Sequence, residues 1–162
     1  MKKVKIYTDG SSLGNPGPGG YCAILEYETG ETTHRKIVSG GEPKTTNNRM
    51  ELKAAIEGLK ALKNACVVEI TSDSKYVCEA INSWLANWIK KEFKNVKNPD
   101  LWDEYVKVSK GHIVKAVWVR GHNGHPQNEE CDRIAKSEAT LMDAQNLKQS
   151  SKFSSSAEGS RD

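Results

Sequence analysis

Apolar and polar positions change rhythm along this chain, and the rhythm predicts its elements. Val4, Ile6 and Thr8 alternate with Lys5, Tyr7 and Asp9, the two-residue period of a half-buried strand, before a turn rich in Gly, Asn and Pro. Asp9 is therefore expected to close the first strand. Two more strand-like runs follow, YCAILEY (21–27) and THRKIVSG (33–40), separated by the turn signal Glu28-Thr29-Gly30-Glu31. Three strands with short links predict an antiparallel meander. The period then lengthens: Leu52, Ala55, Ile56, Leu59 and Leu62 recur at helical spacing behind Thr46, Asn47 and Asn48, which are good N-terminal caps. A helix of about four turns is expected there. VVEITSD (67–73) reads as a buried strand, SKYVCEAIN (74–82) as a short helix, HIVKAVWVRG (112–121) as a strand, and Gln127 to Met142 as a closing helix. Alternation of strand and helix predicts that these later strands run parallel.

Beyond Asp143 the chain becomes Ser-rich, with one isolated aromatic, and lacks the apolar surface to fold by itself. Residues 1–143 are expected to form one domain and 144–162 a disordered tail. The length suffices for a proper core, and no internal repeat is present. Composition adds little: the formal charge is +3 and the pI about 8.6, only mildly basic. No stretch approaches the ~18 apolar residues of a membrane span. Lys5 and Asp9 interrupt the opening before a signal-peptide core could form. A cytoplasmic protein follows as the expectation. Cys22, Cys66, Cys78 and Cys131 lie far apart without a Cys-x-x-Cys pair, which fits reduced, mostly buried thiols better than a disulfide framework.

Four carboxylates carry the candidate chemistry. Asp9 and Asp73 follow apolar strand-like runs, at the carboxyl ends where ligands gather in parallel sheets. Glu51 lies within ~20° of Leu62 and ~40° of Ala55 on a helical wheel, at the border of the apolar stripe, where an acid needs a partner or a metal. Asp132 flanks the stripe of Cys131, Ala135, Ala139 and Met142. Taken singly, each acid is explained by a turn, a cap or a helix N-terminus. Together they suit a cluster that repels itself until hard cations fill it, which oxygen ligands of this kind do with Mg²⁺ or Mn²⁺. A two-metal site for cutting or joining phosphodiesters is the leading expectation.

The runs TDGSSLGNPGPGGY, TTNNRMEL, SDSKYV and GHNGHPQNEECD resemble, in order and spacing, the motifs of bacterial ribonuclease H type 1, and the likeness covers roughly Lys3 to Met142. The resemblance implies an α/β, ribonuclease H-like fold: a five-stranded mixed sheet, three antiparallel strands followed by two parallel to the first, with helices packed on it. It identifies Asp9, Glu51, Asp73 and Asp132 as metal ligands and His122, in the loop between Gly121 and Gly124, as an auxiliary catalytic group. It implies endonucleolytic hydrolysis of the RNA strand of an RNA–DNA hybrid with two Mg²⁺ ions (Mn²⁺ as substitute), leaving a 5′-phosphate and a 3′-hydroxyl. Asn15, Asn47 and Asn48 match minor-groove contacts that sense the 2′-hydroxyl, and Thr46 matches a residue that holds a DNA-strand phosphate.

The segment from Trp84 to Trp102 resembles the basic protrusion of the bacterial enzymes. Trp84, Trp88, Phe93 and Trp102 interleave there with Lys90, Lys91, Lys94 and Lys97. The aromatics are expected largely to pack and the lysines to neutralise phosphates. The stretch between Trp88 and Trp102 is shorter than in the best-known members. Ser12, Lys75 and Gln127 stand where some members have Cys, Gln and Glu. A monomer with no obligatory protein partner, no membrane contact and no hybrid-binding module before Met1 is expected. Three rivals are distinguishable: a zinc site of His122, His125 and Cys131, a hybrid-binding module that does not cut, and a related-fold enzyme acting on DNA junctions or transposon ends.

Overall fold

A computed structural model describes residues 1–121 and 125–159, with side chains to Ser150. Its strands are β1 (Lys2–Ser12), β2 (Gly17–Thr29), β3 (Thr32–Thr45), β4 (Cys66–Ser72) and β5 (Ile113–Trp118), in one sheet ordered β3-β2-β1-β4-β5. β1 pairs antiparallel with β2 and β2 with β3, whereas β1 and β4, and β4 and β5, are parallel. The mixed five-stranded sheet is thus as expected. The first strand is longer than its alternation suggested. Asp9 does not end it, because pairing with β2 continues to Ser12 opposite Gly19.

The helices are α1 (Asn47–Lys60), α2 (Lys75–Glu79), α3 (Leu85–Lys90), α4 (Pro99–Ser109) and α5 (Pro126–Gly159), with a π-helical turn over Ala80–Trp84. Thr46 caps α1, its Oγ1 accepting from Arg49 N at 3.2 Å, and Ser74 caps α2 in the same way through Val77 N. α4 escaped the sequence reading, although Pro99 at its start and Leu101, Trp102, Tyr105 and Val108 at helical spacing signal it. The closing helix also differs. It continues past Met142 to Gly159. Ala144, Gln145, Leu147 and Lys148 are good helix formers, and extending an existing helix avoids a new nucleation step. Leu147 in that extension is exposed, and Asn146 anchors it by donating to Pro43 O at 2.9 Å.

Both faces of the central strands are covered, which explains the unbroken apolar run in β2. Ala23 and Leu25 join Val4, Ile6, Val68 and Ile70 under Leu52, Ala55, Ile56 and Leu59 of α1; Cys22 and Ile24 point the other way, against Cys131 and Ala135 of α5. Two glycines permit this closeness. A Cβ on Gly10 would lie 2.2 Å from Glu51 N, and one on Gly20 2.2 Å from Ala135 O. All four cysteines are buried and free, as expected.

Trp102 anchors the base of the protrusion. It is fully buried, meets Tyr76, Trp88 and Tyr105 edge-on, and donates from Nε1 to Tyr76 Oη at 2.9 Å. Arg49 on α1 grips Asp100 on α4 through two hydrogen bonds, at 3.0 and 2.7 Å. Between α3 and α4, Glu92, Phe93, Asn95 and Asn98 take left-handed φ values of 53° to 61°, folding the connection tightly.

Candidate active site

Parallel pairing brings the first two acids level. The register Ile6 to Ile70 and Tyr7 to Thr71, continued by two residues, sets Asp9 beside Asp73. Glu51 reaches the same spot from the first turn and a half of α1, where Gly10 lets the helix touch β1. One carboxylate oxygen from each of Asp9, Glu51 and Asp73 lies within 4.8 Å of the others. Among the described residues this is the only such group of three or more His, Cys, Asp or Glu side chains. Asp132, on α5, lines the same cleft with Asp9 and Asp73 but stands outside the tight trio.

The trio is an uncomfortable arrangement without a cation. Asp9 is 6% exposed and Glu51 3%, while Asp73 is open to solvent. Burial pushes the Asp9 carboxyl up to about 7; a hydrogen bond with Glu51 opposes the shift, while the charge of Asp73 and the contact and charge of Asp132 add to it. Glu51 is driven well above the usual carboxylate range, first by burial and then by its contact with Asp9. The contact between the two acids lowers the Asp9 carboxyl and raises that of Glu51. The Gly10 N–H holds both acids, donating to Asp9 Oδ1 at 2.9 Å and to Glu51 Oε1.

Neighbouring groups fix the remaining walls. Trp118 Nε1 donates to the Asp73 carbonyl at 2.9 Å, and Lys75 Nζ sits 4.8 Å over the Trp118 ring. Asn128 Nδ2 donates to Thr71 O at 3.1 Å, tying the start of α5 to the end of β4. Asp132 Oδ2 pairs with Lys136 Nζ at 3.0 Å, one helical turn along. Arg120, Gly121, His125 and Glu129 complete the lining. Sequence reading gave no role to Arg120, Asn128, Glu129 or Lys136. Charges in a loop or at i, i+4 on a helix are commonplace, and only the placement of α5 beside β4 brings these to the cleft.

Of the other expected residues, Asn15 Oδ1 accepts from Asn47 N at 3.4 Å, so the β1–β2 turn and the start of α1 present Asn15, Thr46, Asn47 and Asn48 together. Lys90, Lys91, Lys94 and Lys97 are all exposed, and none pairs with an acid among the described residues. Trp88 and Phe93 pack against the core and Trp102 within it, as expected, but Trp84 leaves 40% of its surface exposed. His122, together with Gly124 beside it, lies outside the described residues. Cys131, the sulfur of the rival zinc set, is buried on the α5 side of the sheet, its Sγ donating to Tyr7 O at 3.1 Å. Its contact with Cys22, with burial, drives the thiol far up.

Residues 1–140 match the protein family described as RNase H. The chain is 61% identical over 139 residues to a ribonuclease H of Helicobacter pylori strain HPAG1, covering 86% of this chain and 94% of that protein. It is 57% identical over 143 residues to a ribonuclease H of Sulfurovum sp. strain NBC37-1, covering 88% and 95%. The solved structure of LC9-RNase H1, a type 1 RNase H, superposes with a TM-score of 0.81 at 35% identity, over 88% of this chain and 74% of that one. A fold with this sheet order, a trio of acids where its parallel strands end, and these identities leave one family: the chain belongs to the RNase H family, among the bacterial ribonucleases HI.

Proposed function

We propose that this ribonuclease H hydrolyses the RNA strand of RNA–DNA hybrids at the cleft of Asp9, Glu51, Asp73 and Asp132, by a two-metal-ion mechanism that leaves 5′-phosphate and 3′-hydroxyl ends. The observation that carries the reading is the trio itself: three carboxylates, from β1, α1 and the turn after β4, within 4.8 Å, two of them buried. Oxygen-only donors with depressed acidity fit a hard divalent cation, whose charge would return both acids to their ionised form. Bound there by Asp9, Glu51, Asp73 and Asp132, Mg²⁺ or Mn²⁺ would supply Lewis acidity and lower the pKa of water.

The chain's own residues bind and orient. Gly10 N–H fixes Asp9 and Glu51, and Trp118 fixes the backbone at Asp73. His122 is assigned a proton-carrying or product-releasing role, from its residue type and its motif. Asn15, Asn47 and Asn48 present amides able to pair with ribose 2′-hydroxyls, and Thr46 lies beside them for a phosphate. The exposed Lys90, Lys91, Lys94 and Lys97 on the protrusion, at about 84–102, would meet the backbone of the duplex without reading sequence. The catalytic unit is residues 1–143, acting as a cytoplasmic monomer without an obligatory protein partner. No helix among the described residues is long and apolar enough to cross a membrane.

The test is cleavage of end-labelled hybrid with Mg²⁺, with Mn²⁺ and with chelator, followed by analysis of product ends. Metal-dependent RNA fragments that polynucleotide kinase labels only after phosphatase treatment are expected. Cutting that survives chelation, or fragments with 5′-hydroxyls, would overturn the proposal.

A further inference from the structure

Asp132 differs from the other three acids in holding a cation. Besides its contact with Asp9, its Oδ2 pairs with Lys136 Nζ at 3.0 Å, whereas no ion pair holds Asp9, Glu51 or Asp73 among the described residues. Asp at i and Lys at i+4 on a helix is the orientation in which such pairs form best. Asp132 is 27% exposed and Lys136 57%, so the ammonium is free to swing into solvent.

Resting on the metal-site reading above, we propose that Lys136 is a positioning residue: a tethered counter-ion that holds Asp132 in the metal-free enzyme and competes with a divalent cation for it. The consequence is asymmetry. A first cation meets three carboxylates that no side-chain cation neutralises among the described residues, while a second cation that needs Asp132 must displace an ammonium. Lys136 thereby weakens the second binding step and sets the metal concentration at which both ions are held.

Binding of Mn²⁺ to the substrate-free full chain, followed by electron paramagnetic resonance of the free ion, tests this without any activity readout. Wild type, Lys136→Met and Lys136→Arg are titrated, each first shown to unfold with the wild-type midpoint. Lys136→Met should tighten the weaker site by about three- to tenfold and leave the stronger one unchanged. Lys136→Arg should behave as wild type. In an Asp132→Asn background the Lys136→Met effect should vanish, because the competition runs through that carboxylate. Unchanged affinities in Lys136→Met, equal tightening of both sites, or an effect that persists with Asp132→Asn would overturn the proposal. Mn²⁺ binding that Asp9→Asn leaves intact would instead defeat the metal-site reading itself, and this inference with it.

Discussion

Replacing Asp9 by Asn should make the metal-free protein more stable, by a margin that opens above about pH 4 and is complete above about pH 7. Burial holds the Asp9 carboxyl at about 7, against 3.8 as its ordinary value. An acid whose folded pKa is raised contributes stability that is complete below the unfolded pKa and is lost as pH rises through the folded one. Between about pH 4 and pH 7 the folded state therefore binds more protons than the unfolded state, and stability falls. At 1.36 kcal/mol per pKa unit the full loss is roughly 4 kcal/mol, an upper figure because Asp9 and Glu51 titrate as a pair. Asn keeps an oxygen for the Gly10 N–H and removes the charge. In urea with chelator, Asp9→Asn should exceed wild type by about 2–4 kcal/mol at pH 8, with the denaturant slope unchanged. Near pH 4 the two should nearly coincide. Adding Mg²⁺ should stabilise wild type alone and narrow the gap, by about 2.7 kcal/mol at a hundred times its Kd. A variant no more stable than wild type at pH 8, or one with the same fall between pH 4 and 7, would refute the reasoning.

Other perturbations reach different parts of the structure. Gly10→Ala would put a methyl 2.2 Å from Glu51 N, so it should cost about 1–3 kcal/mol in urea unfolding and depress hybrid cleavage by moving α1 off β1. Trp102→Ala empties the fully buried site shared by Tyr76, Trp88 and Tyr105, and calorimetry should show a loss of about 3–5 kcal/mol. Replacing Lys90, Lys91, Lys94 and Lys97 together by Ala should weaken hybrid binding and flatten the log Kd against log salt line, by about one in slope for each lysine that meets a phosphate. An unchanged slope would mean that these lysines are merely solvated.

Much of this architecture was legible because periodicity reports burial. Alternation marked β1, the run YCAILEY marked β2 as a strand, and the 3.6-residue stripe marked α1. Strand ends were less visible: β1 continues past Asp9 through Gly10, Ser11 and Ser12, whose pairing with β2 depends on backbone, not side-chain pattern. α4 was obscured because its aromatics were read as part of a basic segment, and α5 outran its apolar stripe because propagation needs no burial. The four acids could be singled out, but their grouping could not. That Asp132 alone of the four pairs with a lysine, and that Arg49 clamps Asp100 across 51 positions, depend on distances that no spacing encodes.

The central claim is that the acid cluster performs metal-dependent cleavage of the RNA strand in a hybrid. The most direct measurement sets wild type beside Asp9→Asn, both verified as folded, on end-labelled RNA–DNA hybrid, duplex RNA and duplex DNA, with Mg²⁺ and with chelator. Cutting confined to the RNA strand of the hybrid, requiring the metal and absent in the variant, is the predicted result. Substantial cleavage by folded Asp9→Asn, or none by wild type despite tight hybrid binding, would contradict it.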